Sequence, residues 1–484
     1  MLRTLTFTIV FLISHSFAGI SQKNYPVEDF DPPVDFKMAL SGTFGELRSD
    51  HFHSGIDIKT WGMENKPLRA IGDGFVSRVA VSPGGFGKAV YIEHSNGYTS
   101  VYAHCNSFNK DLQKWIKSEQ YRLESFQVNL FPERGQFRVE KGDVIAYSGN
   151  SGSSMGPHLH FEIRKTIGQI PVNPLHFGFQ VKDFIRPKIT GLRIYPVKPF
   201  SLVNGKNEIY EPELAGWGPE YRIEENDTIR LSGEFYFGLS TYDRLNDSKN
   251  HNGVYSVSLY VDSIPVYEHR MDAFPFSESR YVNSLIDYGC YISRKQRFQK
   301  TYIEPNNKLS VYSKVAENGI FLFIDDKYHQ LRYVVKDIFG NESVLSFTVK
   351  SIPPAFTDVF TAAKNSSSGT WFDWRKDNTY STEGFEIFIP EGALYDTINF
   401  NYKSAGSSNG FHSPLHIIHK AGKPIHTRCE ISIRPDSIPA RLKDKALIVK
   451  IDGEDVSSSG GEWEGEVMKT SIREFGTYAV AIDT

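Results

Sequence analysis

Apolar and polar residues alternate along most of this chain, in short runs that are separated by turn residues. Examples run over residues 158–163, 186–192, 254–261 and 331–342. A period of two is typical of β-strands that bury one face, because successive side chains point to opposite sides of a strand. The pattern therefore predicts a mainly β protein with many short strands.

The change of texture along the chain predicts several domains. At 484 residues, 40% of them hydrophobic and 14% aromatic, the chain is long enough to bury about three cores. Residues 181–352 have the short strands and regular turns of an immunoglobulin-like β-sandwich. A linker at 364–369 then precedes a β-rich C-terminal domain over residues 370–484, and neither of these parts contains a catalytic pattern.

Two short segments of the first third resemble one another. Residues 67–76 and 138–146 each contain a Gly-Asp turn beside β-branched residues. The likeness suggests a sandwich of two related strand-turn-strand units, although a match this short can also arise by chance. Glycine-rich loops at 82–87 and 148–152 would frame a groove open to an extended peptide, or would serve only as hairpin turns.

Three groups of polar residues in this first third carry the candidate chemistry. They are His53-Ser-Gly-Ile-Asp57, Tyr102-Ala-His104 and Gly156-Pro-His158-Leu-His160-Phe-Glu162. Together they offer three good zinc ligands and two further imidazoles, and a hydrolytic zinc site needs three protein ligands with one position open for water. Because the chain has 15 histidines, each group alone is weak evidence, and histidines held in a core or on a surface are the alternative. The order of the groups makes the set specific.

The residues after Pro157 predict a strand that places His158, His160 and Glu162 on one face. Neighbours on such a face are about 6 to 7 Å apart. One imidazole can therefore bind a metal while the other faces the metal-bound water.

The first group needs a bend. On a straight strand His53 and Asp57 would lie about 13 Å apart, too far to share a zinc ion with bonds near 2.1 Å. Ser54 and Gly55 can supply a bend, because glycine accepts the backbone angles that a turn or bulge demands.

These residues and their order resemble the lysostaphin/LytM-type zinc metallopeptidases, murein endopeptidases of the duplicated hybrid motif type, over residues 36–180. The resemblance implies a compact antiparallel β-sandwich. It also implies that His53, Asp57 and His160 bind Zn²⁺, while His104 and His158 line the cleft as catalytic bases or transition-state stabilisers. The implied activity is that of a zinc metalloendopeptidase, in which zinc-activated water attacks a peptide carbonyl.

Two further residues have weaker roles under this resemblance. Tyr102 is a candidate for the wall of the substrate groove. Glu162 is interpreted first as a solvated strand carboxylate, and alternatively as a partner that orients a metal ligand.

Residues 105–138 depart from the compact family pattern as an insertion that follows His104. Residues 109–117 have an amphipathic helical pattern, with Leu112, Trp115 and Ile116 on one face. Because the insertion begins next to a candidate catalytic histidine, we expect a lid or partner-docking element beside the cleft. A plain surface excursion is the alternative.

The N-terminus predicts export. A basic start, an apolar run over residues 5–13 and a small-x-small site ending at Ala18 are typical of a secretory signal peptide over residues 1–18. The apolar run is shorter than the roughly 20 residues that a membrane span needs. We therefore expect a mature chain without a membrane span, located in the periplasm or at the cell surface.

The cysteines and the remaining histidines add little chemistry. The three cysteines are Cys105, Cys290 and Cys429. Their wide spacing gives no disulfide framework, and Cys105 is expected to be buried rather than a zinc ligand. His412, His416 and His419 are spaced like a metal cluster, but on a strand His416 and His419 would face opposite ways, which disfavours a second metal site.

The net charge of −3 argues against a nucleic-acid partner, which would need a basic face. The expected partners are peptidoglycan peptides, with an envelope protein possible through the β-rich domains. The expected function is hydrolysis of peptide crosslinks in bacterial peptidoglycan. The alternatives are an exported zinc peptidase for glycine-rich proteins or peptides, and a non-enzymatic cell-wall-binding activator module.

Overall fold

The computed structural model describes residues 25–224, 228–354, 370–406, 410–436 and 438–483. Strands dominate these residues, which confirms the prediction of a mainly β protein with further β-rich domains. The signal peptide predicted over residues 1–18 and the linker predicted at 364–369 lie outside the described residues. Within the described part of the chain, no helix is both long and apolar enough to cross a membrane.

Twelve strands and one α-helix form the region between residues 40 and 172. The strands are β1 (Leu40–Gly42), β2 (Ile56–Lys59), β3 (Pro67–Arg69), β4 (Gly74–Val81), β5 (Lys88–His94), β6 (Tyr98–Ala103), β7 (Ser107–Phe108), β8 (Val128–Leu130), β9 (Arg138–Val139), β10 (Val144–Tyr147), β11 (His158–Lys165) and β12 (Ile170–Val172), and the helix is α1 (Lys110–Arg122). A short 3-10 turn, Pro174–Phe177, follows the last strand.

Two antiparallel sheets build this first region. The larger sheet has the order β1-β2-β11-β6-β5-β4-β8, and the smaller has the order β3-β10-β7. Their shared core contains Leu68, Val79, Tyr102, Ile145 and Phe161, all fully or almost fully buried. Strands β2, β11 and β6 are neighbours in the larger sheet. Strand β11 contains His158 and His160, β2 contains Asp57, and β6 ends just before His104, so the sheet order itself brings the motif groups together.

The two segments that resemble one another in sequence pair with each other in space. Strand β3 pairs with β10, with Arg69 opposite Val144, and β4 pairs with β9, with Gly74 opposite Val139. Each segment therefore gives one strand to the small sheet and one to the large sheet. This reciprocal pairing is what a fold built from two related strand-turn-strand units requires.

Helix α1 lies where the amphipathic pattern predicts it. The Asn109 side chain caps the helix by accepting a hydrogen bond of 3.1 Å from the Leu112 amide. Leu112 and Ile116 are buried in the core of the first region, and Trp115 packs against it. After the helix, β8 adds an edge strand to β4, so the insertion is bound into the domain at both ends.

The described residues of the middle region, 188–224 and 228–351, contain a further twelve strands and two short α-helices. These are β13 (Lys188–Pro196), β14 (Leu202–Val203), β15 (Leu214–Trp217), β16 (Glu220–Ile223), β17 (Ile229–Tyr242), β18 (Ser256–Val261), β19 (Ile264–Arg270), α2 (Val282–Leu285), α3 (Tyr288–Arg294), β20 (Gln299–Lys300), β21 (Tyr312–Val315), β22 (Phe321–Phe323), β23 (Tyr328–Lys336) and β24 (Glu342–Ser351). The long strand β17 pairs with β13 on one side and with β24 on the other, and the β17–β24 and β16–β24 pairs are parallel.

The described residues of the C-terminal region form two five-stranded sheets and a two-stranded pair around a third core. Its strands are β25 (Thr370–Phe372), β26 (Asn378–Ser381), β27 (Phe385–Ile389), β28 (Ile398–Phe400), β29 (Tyr402–Ala405), β30 (Leu415–Ile418), β31 (Pro424–Ile433), β32 (Ala446–Asp452), β33 (Asp455–Gly460), β34 (Glu462–Glu464), β35 (Val467–Glu474) and β36 (Gly476–Ile482). The sheet orders are β26-β27-β31-β35-β34 and β29-β30-β36-β32-β33, and β25 pairs with β28.

A smaller apolar cluster joins the first region to the middle one. Phe44 and Phe52, on the loop that leads to His53, pack against Phe274, with ring centroids 4.8 and 5.3 Å away. Both phenylalanines are almost fully buried, and Met271 and Leu285 belong to the same cluster. The loop that carries the first candidate ligand therefore has its apolar side chains covered by the middle region.

Candidate metal centre

Three side-chain atoms of the predicted ligand set converge on one point. His53 Nε2 lies 3.0 Å from His160 Nδ1 and 3.1 Å from Asp57 Oδ1, and the last two atoms are 3.0 Å apart. Ligand atoms bound to one zinc ion at tetrahedral angles, with bonds of about 2.1 Å, would be roughly 3.4 Å apart. The triangle has the size and the donor types that a zinc ion accepts.

The hydrogen bonds around the two imidazoles fix which nitrogen is free. His53 Nδ1 lies 2.8 Å from the Thr43 carbonyl, and since a carbonyl only accepts, Nδ1 carries the proton and Nε2 is a lone-pair donor. His160 Nε2 lies 2.9 Å from Glu162 Oε1, which leaves Nδ1 free in the same way. Both free nitrogens are the atoms of the triangle.

Asp57 reaches His53 because the chain bends just before β2 begins at Ile56. Gly55 permits the bend, but not through a left-handed conformation, as it is not among the positive-φ glycines of the chain. A Cβ on Gly55 would lie 2.3 Å from the Phe161 carbonyl oxygen, so glycine is needed there for the close approach of β11. The opposite pairing of Asp57 and His160 in the β2–β11 ladder then brings the two ligands together.

The second oxygen of Asp57 is also held. Arg48 donates a hydrogen bond of 3.0 Å to Asp57 Oδ2, and Arg48 lies 3.4 Å from Glu46. Burial opposes the charge on Asp57, but the His53, His158 and His160 imidazoles hold its pKa well below the usual range. The carboxylate is thus ionised and oriented for a cation, and the sequence alone carried no signal for Arg48.

Glu162 is fully buried, so its interpretation as a solvated strand carboxylate is wrong. Its two oxygens accept hydrogen bonds from Ser54, His160 and Arg164. Burial acts against the charge, but Arg164 and His160 lower the pKa of Glu162 to about 2. Burial likewise opposes charge on His160, yet the bonds to Asp57 and Glu162 raise the pKa of that imidazole to about 9. The carboxylate therefore orients His160, which was the alternative interpretation.

His104 and His158 lie side by side at the open face of the triangle, with ring centroids 4.8 Å apart. Nδ1 of His104 donates to the Ser151 carbonyl and Nδ1 of His158 donates to the Gly156 carbonyl, each over 2.8 Å. Each ring therefore presents an unprotonated Nε2 elsewhere, and for His158 this atom lies 3.5 Å from Asp57 Oδ1. Burial, followed by the neighbouring His160 and His158, lowers the pKa of His104 to about 4.

The triangle lies at the base of an open cleft of about 1040 Å³. The exposed side chains of Trp61 and Met155 stand at its rim, and Phe86 stacks on the His160 ring at 5.0 Å. The loops 82–87 and 148–152 meet beside it, where a Cβ on Gly152 would lie 2.3 Å from the Gly87 nitrogen. The first loop connects the β4–β5 hairpin and contributes Gly85 and Phe86 to the cleft lining, whereas no residue of 148–152 lines the cleft.

Tyr102 does not line the cleft, so its assignment to the substrate wall is wrong. The side chain is fully buried, and its hydroxyl accepts a hydrogen bond of 3.0 Å from the Ile71 amide. Strand β6 ends at Ala103, and His104 has a left-handed backbone with φ of 59°. Strand alternation would place Tyr102 and His104 on the same face, but the strand ends between them. The Tyr102 side chain therefore lies in the core and the His104 side chain in the cleft.

The insertion does not cover the cleft, so the expected lid is also wrong. None of residues 107–136 contributes to the cleft lining. Strand β8 pairs with β4, at the opposite end of the larger sheet from β2, and α1 packs its apolar face into the core. A plain surface excursion does not describe it either, since Leu112 and Ile116 are core residues. A partner-docking role stays a prediction.

The cysteines and the C-terminal histidines are not part of the triangle of His53, Asp57 and His160. Cys105 is buried, as expected, although it follows the end of β6 rather than lying on the strand. All three cysteines are free thiols. His416 and His419 belong to neither of the two potential metal-binding groups found in the described residues.

Comparison with known proteins agrees with the sequence motifs. Residues 51–121 and 123–174 match the family model described as Peptidase family M23, and residues 369–483 match the model of a Zu5-like domain. The chain is 33% identical over 129 residues to the DD-carboxypeptidase/endopeptidase Mpg of Neisseria meningitidis, which covers 27% of this chain and 23% of that protein. It is 26% identical over 162 residues to the peptidoglycan DD-endopeptidase ShyA of Vibrio cholerae, covering 32% of this chain and 31% of that one.

A solved structure of a zinc containing peptidase from Vibrio cholerae is 26% identical, covers 32% of this chain and 41% of that chain, and has a TM-score of 0.23. The chain spans less than a third of the length of the two curated relatives. The ordered HxxxD, YxH and GPHLHFE motifs lie in or beside the residues that the M23 model matches. The match to peptidase family M23 therefore covers the N-terminal domain that contains the candidate metal centre.

Proposed function

We propose that this chain is a zinc metalloendopeptidase that hydrolyses peptide crosslinks of bacterial peptidoglycan. The observation that carries the proposal is the triangle of His53 Nε2, Asp57 Oδ1 and His160 Nδ1, in which both imidazoles have their other nitrogen occupied by an acceptor. Ligands held this way need no side-chain rearrangement to receive a cation, which would displace the proton that His160 holds below its pKa of about 9. A zinc ion held there would supply a Lewis acid and a water of lowered pKa, near 7.

The residues around the triangle suit the proton transfers of amide hydrolysis. His104 and His158 each present an unprotonated Nε2, which can accept a proton from the attacking water and pass it to the leaving amine. Once protonated, the same nitrogen becomes an N–H donor for the negative oxygen of the attacked carbonyl. Removing one such donor typically costs about a hundredfold to a thousandfold in rate.

The substrate class is proposed from the shape of the cleft and from the relatives. The cleft is open rather than enclosed and has exposed apolar side chains, Trp61 and Met155, at its rim, which suits an extended peptide strand. The curated relatives carry names that specify DD-endopeptidase or carboxypeptidase activity. The predicted signal peptide would deliver the chain to the compartment that contains this substrate.

The direct test is digestion of purified peptidoglycan sacculi with the zinc-loaded full chain, followed by mass analysis of the released fragments. We expect crosslinked dimers to be converted to monomers, with loss of activity on chelation and recovery on addition of zinc. Unchanged crosslinking with fully zinc-loaded, folded protein would reject the proposed substrate. Cleavage of a glycine-rich peptide instead would favour the alternative peptidase.

A matched pair of histidine variants tests the site. His53→Ala removes a ligand, whereas His51→Ala removes an exposed imidazole two residues away that pairs with Asp50. We expect loss of zinc in the first variant only, measured by metal analysis of the purified proteins. Equal zinc content in the two variants would contradict the ligand assignment.

A further inference from the structure

A second cluster of acidic side chains lies away from the cleft, at the junction of the first and middle regions. Asp183, Asp243 and Asp337 each offer a carboxylate oxygen, and these oxygens all lie within 4.8 Å of one another. Asp183 belongs to the segment that leaves the first region, while Asp243 directly follows β17 and Asp337 directly follows β23. The fold therefore brings together three acids that are far apart in the chain.

Among the residues that the structure describes, no basic side chain compensates the charge of this cluster. The three side chains are 5%, 3% and 5% exposed, and none forms an ion pair with a basic side chain of the described residues. Amides at residues 185 and 246 donate to Asp183, and Asn341 donates to Asp337. One oxygen of Asp183 and one of Asp243 remain buried without a partner among the described groups. Uncompensated buried carboxylates are costly, and a cation is one way to remove that cost.

A fourth, neutral side chain supplies independent evidence. Asn252 is 3% exposed, and both its side-chain oxygen and its nitrogen lack a hydrogen-bond partner among the described residues. Its backbone exchanges two hydrogen bonds, of 2.8 and 2.9 Å, with that of Asp243. Directly opposed residues of an antiparallel pair point to the same face, so the free amide lies on the side of the Asp243 carboxylate.

We propose that Asp183, Asp243, Asp337 and Asn252 form a calcium site. The donors are all oxygens, which hard cations prefer, and no imidazole or thiolate takes part, unlike the zinc centre. Calcium accepts irregular arrangements of carboxylate and amide oxygens, whereas magnesium demands near-octahedral geometry and keeps several waters. A chelating cation would neutralise the cluster and satisfy the free oxygens together.

The position of this site gives the cation a structural task. Leu245, two residues after Asp243, packs into the core of the first region. Gly253, next to Asn252, accepts a hydrogen bond of 3.3 Å from Thr43 Oγ1, and the Thr43 carbonyl holds Nδ1 of His53. A cation here would bind Asp183, in the segment after the peptidase domain, to the ends of β17 and β23. It would also stiffen the antiparallel pair of Asp243 and Asn252, next to Gly253, which contacts Thr43 in the loop before His53.

The alternative is a cluster that stays neutral by holding protons. Without a cation, burial and the charges of Asp337 and Asp183 raise the pKa of Asp243 to about 8. Burial, with the charge of Asp337, also raises the pKa of Asp183 to about 6. The two states differ in whether added calcium displaces protons, so calcium binding separates them.

The test is a calorimetric titration of CaCl₂ into the full chain, stripped of metal and then saturated with zinc so that the Asp57 site is filled. We expect one calcium per chain, proton release at pH 7, and a rise in Tm of at least about 3 °C at a hundredfold excess over Kd. Asp243→Asn should weaken binding at least tenfold. Asp247→Asn is the matched control, because Asp247 lies in the same turn but is exposed and pairs with Lys37 over 2.5 Å.

Should Asp243→Asn fail to fold, Asp337→Asn gives the same comparison from another strand. The proposal is overturned by a folded, zinc-loaded chain that shows neither calcium binding nor a Tm shift. It is equally overturned if Asp247→Asn weakens binding as much as Asp243→Asn, or if magnesium produces the same shift as calcium. A gain in Tm on Asp243→Asn with no calcium effect in the native chain would identify the proton-holding cluster instead.

Discussion

Replacing Glu162 with glutamine tests the role of the buried carboxylate behind the metal centre. Glu162 is fully buried and accepts bonds from His160 Nε2 at 2.9 Å and from Arg164 at 2.5 Å. Glutamine keeps the shape but has only one acceptor oxygen. Either Ser54 and His160, which share one oxygen, or Arg164 on the other must then face an NH₂ group, and the negative charge is lost.

Two effects of different size follow from this substitution. Loss of the partner that orients a metal-bound histidine typically costs 10- to 100-fold in metal affinity, or about 1.4 to 2.8 kcal/mol. Leaving Arg164 buried without its carboxylate costs about 3 to 5 kcal/mol of stability. Because Arg164 also stacks on Phe276 at 4.5 Å, the lower end applies. The stability effect is the larger, so zinc affinity has to be measured well below the Tm of the variant.

A double variant separates the two effects. Glu162→Gln with Arg164→Gln removes the uncompensated charge, so stability should largely return while zinc affinity stays low. Zinc competition against a chromophoric chelator at pH 7 gives the affinity, and thermal unfolding of the metal-free proteins gives the stability. Glu93→Gln is the control, because Glu93 is a partly exposed carboxylate on the same sheet, 3.7 Å from Arg134. Zinc affinity of folded Glu162→Gln within threefold of the native value would refute the reasoning.

Three further predictions concern the candidate histidines, Gly55 and Asp243. His160→Ala should remove zinc and activity together, whereas His158→Ala should keep most of its zinc and lose about 10²- to 10⁴-fold in turnover. Metal analysis and kinetics measure the two effects, and zinc fully retained by His160→Ala would contradict its assignment as a ligand. Gly55→Ala should lose about 1 to 3 kcal/mol in urea unfolding, because its Cβ meets the Phe161 carbonyl at 2.3 Å; unchanged stability would contradict that contact. The raised pKa of Asp243, about 8, means that the metal-free chain loses stability as pH rises from about 4 to 8, and Asp243→Asn should remove this part of the pH dependence; parallel pH profiles would contradict it.

The resemblance named His53, Asp57 and His160 as ligands, and the structure brings these three side chains together partly through regular strand geometry. His158 and His160 share a strand face, and the β2–β11 register then places Asp57 opposite His160. The first ligand required a bend, and the sequence indicated the right residue, Gly55, for a different reason. Its role is the close approach of a neighbouring backbone, which depends on strand pairing that is not visible in a local pattern.

The errors have an equally physical origin. Tyr102 and His104 look equivalent by alternation, but the left-handed φ at His104 ends the strand between them. Glu162 looks like a polar strand residue, and only the buried Arg164 and His160 beside it explain why its charge is tolerated away from water. Asp243 and Asp337 each follow a strand, where acidic turn residues are common, so the acidic cluster carried no sequence signal.

The covered loop before His53 makes the peptidase centre depend on the middle region. Phe44 and Phe52 are 2% and 1% exposed and pack in one cluster with side chains of the middle region, and exposing such a side chain costs about 1.5 to 3 kcal/mol each. Phe52 also donates its amide to Ser279 Oγ over 2.9 Å. A chain that ends near residue 180 should therefore unfold at a lower temperature and bind zinc more weakly than the full chain. Thermal unfolding and zinc competition measure these two differences. Equal values for both chains would show that the His53 loop holds its conformation without this cover, and the middle region would then act only on the substrate or a partner.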